Sequence, residues 1–304
     1  MKKTYLLSSL FFFSIVFTSS FVRAQGCSDA GFCTLNALKS SDENHEQSHR
    51  QSIQFGFNYG AADNDVTVLS SFIDYGYLLN QRLDLHLRLG YVSQSSDLAS
   101  SAGLSDIFLN ANYNLNRFVF TGGLKIPIAD GNRKENGLAL PMDFQPGLGT
   151  FDLILGVGYQ IKQLKLTLAM QQPMSQNKNS FLPTDYPEGS PFAAFSPTNK
   201  YIRKGDVLLR ASYQLNLSKT WSLVPALLPI YHLGNDEYTD DAGNKMTLDG
   251  SEGLTFNGNL MINYKPAANQ VFQLSVAAPF VTRDLRPDGL TRSFVLGLEY
   301  IVKF

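Results

Sequence analysis

The stretch RLDLHLRLGY, residues 82–91, carries leucine at positions 83, 85, 87 and 89, with Asp84, His86 and Arg88 between them. Side chains of an extended chain point alternately to opposite faces. This segment therefore has one face of leucines and one face bearing an acid, an imidazole and a guanidinium. The polar set could be a catalytic constellation. Alternatively, the leucines meet a hydrocarbon phase while the polar set lines an interior. One segment cannot choose between these readings, but the surrounding chain can.

The same alternation recurs along the chain in segments of about 10 to 14 residues, the period of a strand with two unlike faces. Twelve are legible: roughly 50–60, 66–79, 82–94, 104–116, 118–129, 150–161, 164–173, 205–217, 220–234, 252–265, 270–279 and 291–304. In the sixth, Phe151, Leu153, Leu155, Val157, Tyr159 and Ile161 share one face. In the eighth, Val207, Leu209, Ala211, Tyr213 and Leu215 do so. Connections alternate between tight turns, such as Asn80-Gln81, Asn116-Arg117 and Lys162-Gln163, and long stretches rich in Gly, Pro, Ser, Asn and Asp, such as 130–149, 174–204 and 235–251. An even strand number, short turns on one side and long loops on the other predict an all-β fold, a transmembrane outer-membrane antiparallel β-barrel of about twelve strands. Closure is obligatory there, because lipid offers no partner for a free strand edge. Tyr59, Tyr77, Tyr91, Tyr113, Tyr159, Tyr213, Tyr264 and Tyr300 lie near strand ends on the apolar face, as an interfacial girdle requires. The last segment, SFVLGLEYIVKF, is apolar on one face and ends in Phe304, like the terminal recognition strand of outer-membrane barrels.

The first 24 residues read as a secretory signal peptide: Lys2 and Lys3, then the apolar run LLSSLFFFSIVF, then Val22-Arg23-Ala24 as a cleavage site. Their removal takes three basic side chains and no acidic one, leaving 22 basic against 26 acidic groups. No basic footprint for nucleic acid exists in that balance. The predicted organisation is a signal peptide at 1–24, an N-terminal periplasmic segment or plug at 25–49, and a barrel at 50–304. Residues 25–49 are polar and unpatterned, and contain Cys27 and Cys33. In an exported chain the expectation for that pair is a local disulfide, with lipidation of Cys27 as the alternative. The spacing of His45 and His49 does not make a metal site without further ligands, and neither cofactor nor metal is expected.

With the leucines of the third segment in lipid, Asp84, His86 and Arg88 face the lumen. So do Asp106, Lys125, Asp152 and Arg210 on other segments. Mixed signs on one face predict ion pairing across a narrow interior, with lining of a transport route as the functional reading. A twelve-stranded phospholipase would need Ser two residues from His on one strand. Here His86 is followed by Leu87 and Arg88, and His232 by Leu233 and Gly234, so no enzyme is expected. The ninth segment, WSLVPALLPIYHL, is apolar on both faces, placing Leu228 and Ile230, followed by His232, toward the lumen. Pro225 and Pro229 each remove a ladder donor, so a bulge or kink is expected there. Such a wall suits an apolar cargo, or packing against a plug. The loop 174–204 holds Phe181, Tyr186, Phe192, Phe195 and Tyr201 among prolines, either as a capture site or folded inward as a cap.

The stretch GLKIPIADGNRKENGLALPMDFQPGLGTFDLILGVGYQ, residues 123–160, resembles bacterial outer-membrane transporters associated with phenol degradation, relatives of the long-chain fatty-acid transporter group. The matching positions are Leu124, Lys125, Pro127, Asp130, Gly131, Gln145, Pro146, Gly147, Gly149 and Asp152, preceded by GLSDIFLNANY at 103–113. Ile128-Ala129 departs from the Thr-Gly commoner there. The resemblance implies a channel for small apolar or aromatic compounds. The expected function is passive uptake of such molecules. The expected partners are outer-membrane lipids, the barrel-assembly machinery and a small-molecule cargo, in the bacterial outer membrane. A structural or adhesion barrel with a sealed lumen is the alternative, and an outer-membrane hydrolase the third.

Overall fold

The structure, a computed structural model, describes residues 49–289 and 292–304. The signal peptide, Cys27 and Cys33, and all but the last residue of the 25–49 segment lie outside the described residues.

Twelve long strands run in chain order: β1 (Gln51–Ala62), β2 (Thr67–Asn80), β3 (Leu83–Ser95), β4 (Ser100–Leu115), β5 (Phe118–Ile126) and β6 (Asp152–Ile161). They continue as β7 (Leu164–Pro173), β8 (Asp206–Tyr213, prolonged by Leu215–Asn216), β9 (Trp221–His232), β10 (Gly253–Ala267), β11 (Gln270–Val281) and β12 (Arg292–Lys303). Each pairs antiparallel with the next, and β12 pairs back onto β1 from Ser52↔Lys303 to Ala61↔Phe294. The sheet is a closed barrel. Two small hairpins, Lys134–Glu135 with Leu138–Ala139 and Asp236–Thr239 with Lys245–Leu248, sit in the long connections. Short turns gather at the end that carries both barrel termini, the periplasmic end by the rule for such barrels; the long loops gather at the other.

The alternation of the sequence is the alternation of the wall. Leu85, Leu87 and Leu89 are exposed, as are Phe55, Phe57, Ile73, Leu155, Leu168, Leu209 and Leu298 on other strands, while Asp74, Arg88, Asp106, Lys125, Asp152 and Arg210 are buried inside. An apolar exterior that continuous is stable only against lipid. Among the described residues no helix is long and apolar enough to cross a membrane, and the crossing is made by strands. The girdle tyrosines point outward. Tyr77, Tyr113, Tyr159, Tyr213, Tyr264 and Tyr300 belong to the short-turn end, and Tyr59 and Tyr91 to the long-loop end. At the short-turn end Trp221, Tyr264, Phe272 and Tyr300 stack side by side, with successive ring centroids 4.6, 6.5 and 4.7 Å apart.

Of the bulge or kink expected in the proline strand, the register excludes the bulge. Pro225 and Pro229 produce no bulge: β9 pairs with β10 in one register from Trp221↔Tyr264 to His232↔Gly253. The missing donors act on the other side. Pairing of β9 with β8 lapses at Pro229, between Leu208↔Ile230 and Ala211↔Leu227, and again past Ser212↔Ala226 at Pro225, before resuming at Leu215↔Leu223. Each proline directs its missing N–H toward β8, so the ladder is interrupted while the register is kept.

Candidate transport lumen and its cap

Near the short-turn end the lumen holds the polar face of RLDLHLRLGY. His86 Nδ1 lies 2.9 Å from Asp74 Oδ1 and its Nε2 lies 3.3 Å from Asp84 Oδ1. Arg88 Nε donates to Asp74 Oδ2 at 3.0 Å, and its guanidinium lies 4.0 Å over the ring of Phe72. Asn112 and Asn114 donate to the two oxygens of Asp84 at 2.5 and 3.0 Å. Two acids thus face two bases across β2, β3 and β4, with amide donors filling the remaining lone pairs. The three residues do come together, but as a braced interstrand network. Beside it, on the strand paired with β2, Gln54 donates to Glu299 at 2.6 Å, joining β1 to β12.

A second ionic group closes the upper part of β4, β5 and β6. Lys125, fully buried, places Nζ 2.8 Å from Asp152 Oδ2, 3.6 Å from Asp106 Oδ2 and 3.0 Å from Thr150 Oγ1. Thr150 donates to Asp152 Oδ1 at 2.6 Å, and Gln171 donates to its other oxygen. These positions belong to the 123–160 motif and its preceding strand, and their convergence explains the glycines. A Cβ on Gly147 would stand 2.6 Å from Asp106 Oδ1, and Gly149, at φ +66°, packs against the Asp130 carbonyl. The motif is a staple that turns the 127–151 loop inward onto the barrel wall.

Between these polar groups lies an apolar band. Phe108 on β4, Ile154 on β6, Ala169 on β7, Leu208 on β8, and Leu228 and Ile230 on β9 form one buried cluster. Arg210 is buried on β8 one inward position below Leu208, level with Thr167 of β7. The wall from β10 through β12 to β3 is instead polar, with Asn257, Gln273, Glu299, Gln54, Asp74 and Arg88. The lumen is thus amphipathic in cross-section. Asn110 Oδ1, Thr167 Oγ1, Asn257 Oδ1, Asn259 Oδ1 and Gln273 Oε1 are buried oxygens that meet no hydrogen-bond partner among the described residues.

The long loops fold over the mouth. Phe144, Phe181 and Phe195 are buried with Leu140, Ala139, Val66, Val68 and Ala99, and Tyr186 and Phe192 pack half-buried beside them. The aromatic loop is therefore a cap. Asn179 donates to the carbonyls of Gly131 (2.9 Å) and Leu140 (3.0 Å), and Asn177 to that of Leu148, tying the 174–204 loop to the 127–151 loop. Gln145 accepts from the Arg133 amide at 2.7 Å, and its own carbonyl accepts from Gln94 on β3 at 2.6 Å. Beneath the other side of the cap, His232 stands between Asp206 and Asp236, at 2.6 and 2.8 Å. Arg203 reaches Asp206 (2.6 Å) and Asp288 (3.1 Å), Arg283 reaches Asp288 (2.6 Å), and the Tyr201 hydroxyl donates to Asp236 at 2.6 Å. Burial, reinforced by the charges of Asp236 and Asp288, pushes the Tyr201 phenol well above its ordinary range, so it remains a donor.

Of the ten residues that sequence reasoning assigned to the lumen face, Arg88, Asp106, Lys125, Asp152, Arg210, Leu228, Ile230 and His232 are buried and Asp84 and His86 are partly buried. The same reasoning missed Thr150, Gln171, Asn177, Asn179, Arg203, Asp236, Arg283 and Asp288. All of these but Gln171 lie in loops, where no period marks an inward side chain.

A closed twelve-stranded antiparallel barrel, apolar outside and polar within, is an outer-membrane β-barrel. No family model and no curated protein matches the chain. Among solved structures it is similar to an outer membrane channel from Pseudomonas putida F1, at 17% identity and a TM-score of 0.60, covering 88% of this chain and 100% of that one. Similarity also extends to the CymD monoaromatic hydrocarbon channel (10% identity, TM-score 0.48, covering 92% and 94%) and to a Pseudomonas aeruginosa FadL homologue (9% identity, TM-score 0.42, covering 84% and 90%). The first likeness establishes the fold; the other two superpose too loosely to add to it.

Proposed function

We propose that this barrel is a passive outer-membrane channel for small molecules with an apolar body, closed at its outer mouth by the loop cap in the conformation described. The observation that carries this reading is the two-sided lumen. An apolar band across β4 and β6–β9 faces a polar wall whose oxygens are left available to water or to a polar edge of a solute. A barrel built only as a scaffold gains stability by satisfying such groups, because each unsatisfied one costs about 1–3 kcal/mol. The resemblance of the 123–160 motif to transporters associated with phenol degradation and fatty-acid uptake points to the same cargo class. Hydrolysis ranks last, since His86 and His232 each engage carboxylates through both ring nitrogens and neither is free to accept a serine proton.

The staple and the cap are what favour the second reading, a permanently sealed scaffold. Reconstitution into liposomes separates the two. Uptake of a labelled aromatic compound above that of protein-free vesicles, reduced by excess unlabelled compound, is expected of the channel. No uptake with the cap in place and none after deletion of cap residues would refute it.

A further inference from the structure

The buried group beneath the cap is built from three loops and two strands. Asp206 comes from β8 and His232 from β9. Arg203 and Tyr201 come from the 174–205 loop, Asp236 from the 233–252 loop, and Arg283 and Asp288 from the segment 282–289. Every charged side chain in it is 2% exposed or less. Arg283 also approaches Asp236, at 3.9 Å. Both ring nitrogens of His232 face carboxylate oxygens, and a neutral imidazole has only one N–H to offer. The geometry therefore holds His232 as the imidazolium. With it charged, three carboxylates meet three cations; without its proton, three meet two.

We propose that His232 is the pin of a proton-dependent latch: its charge balances Asp206, Asp236 and Asp288, and its deprotonation releases the three loops from the barrel rim. An unbalanced carboxylate in a dry site is strongly destabilising. The elements able to relieve it by moving into water are the loops, because Asp206 and His232 are fixed in the ladder by Asp206↔His232 pairing. Release would propagate. Tyr201 bonds Asp236 and also packs with Met142, Leu148 and Leu248, while Asn177 and Asn179 tie its loop to the 127–151 loop. Nearby, Lys204 and Glu237 pair at 2.6 Å on a half-exposed rim and do not enter the buried balance. The latch deepens the reading of the capped lumen as a conduit, and regulates that same opening.

The test uses the full barrel in lipid nanodiscs with spin labels at two exposed positions, Glu188 in the cap and Lys219 in a short turn, read by pulsed dipolar EPR. In the wild-type background the population with a lengthened label distance rises about tenfold between about pH 7 and about pH 9.5. His232→Gln, which is neutral at every pH, shows the lengthened population already at neutral pH. His232→Gln with Asp236→Asn restores two carboxylates against two guanidiniums and returns the short distance at both pH values. An unchanged distance in both the wild type and His232→Gln would overturn the latch. So would a double variant as displaced as the single one, since the ring would then act by shape alone. Conductance recorded on the same samples judges the conduit separately: a moving cap without current keeps the latch and removes the channel.

Discussion

Replacing Lys125 with Met tests how the 123–160 motif holds the barrel together. Methionine preserves most of the aliphatic volume, so the change removes a charge with little change of packing. Two carboxylates lose their cation, Asp152 at 2.8 Å and Asp106 at 3.6 Å, in a place where Lys125 and Asp152 are inaccessible to solvent. Breaking a buried pair by deleting one partner costs about 3–5 kcal/mol. Asp152 keeps its bonds from Thr150 and Gln171, which offsets part of that, so the lower end of the range, about 3 kcal/mol, is expected. Adding Asp152→Asn removes one stranded charge and is expected to recover about half of the loss, a coupling that independent sites would not show. The assay is urea unfolding in lipid vesicles, followed by the faster gel migration of folded barrels. A Lys125→Met loss below about 1 kcal/mol, with no recovery in the double variant, would refute the staple.

Other consequences follow from the same geometry. Gly147→Ala places a methyl against the Asp106 carboxylate and is expected to loosen the 127–151 loop by about 1–3 kcal/mol, read as faster proteolytic nicking there while the barrel stays folded. Leu87→Arg puts a cation on the lipid face near mid-strand and is expected to cost about 2–4 kcal/mol in vesicle unfolding. Leu228→Gln places an amide in the apolar band, and uptake of an apolar probe should fall about tenfold, the equivalent of roughly 1.4 kcal/mol of lost partition, while a polar probe is little affected. Burial works to raise the pKa of Asp288, but the Arg283 and Arg203 guanidiniums outweigh it and hold the carboxyl far below the usual range. The stability this group supplies is therefore present above the ordinary carboxylate pKa and is lost only as pH falls through its much lower folded value. The cap label distance should accordingly be the same at about pH 4 as at about pH 7, and a shift between them would contradict the assignment.

The barrel was legible because a strand in a membrane has no freedom to be irregular. Leucine at 83, 85, 87 and 89 gives the facing of Asp84, His86 and Arg88 without ambiguity, and the turn and loop lengths give the topology. Which lumen groups meet depends on register between strands, and register is set by backbone pairing that leaves no trace in composition. Asp106, Lys125 and Asp152 were thus assigned to one face and ion pairing among such charges was expected, but not which of them would meet. The latch was less legible still. Arg203, Arg283 and Asp288 sit in loops that read as polar connections, and nothing in a one-dimensional pattern separates a solvated arginine from one buried against an aspartate. The proline strand makes a related point: a missing N–H was foreseen with a bulge or kink as its consequence, but a bulge is only one way to accommodate it. An in-register gap toward β8 is the other.

The junction of β12 with β1 also dictates an order of events. Every other strand pair in the wall joins neighbours along the chain, whereas this seam joins residues as far apart as Gln54 and Glu299. Such a contact carries the largest loop-closure entropy in the molecule and should form last. Until then β1 presents a bare edge, able to recruit a foreign strand as readily as its own. Kinetic protection of that edge is thus as much a requirement of this chain as any equilibrium contact. The Gln54–Glu299 hydrogen bond is the molecular sign that the search has ended.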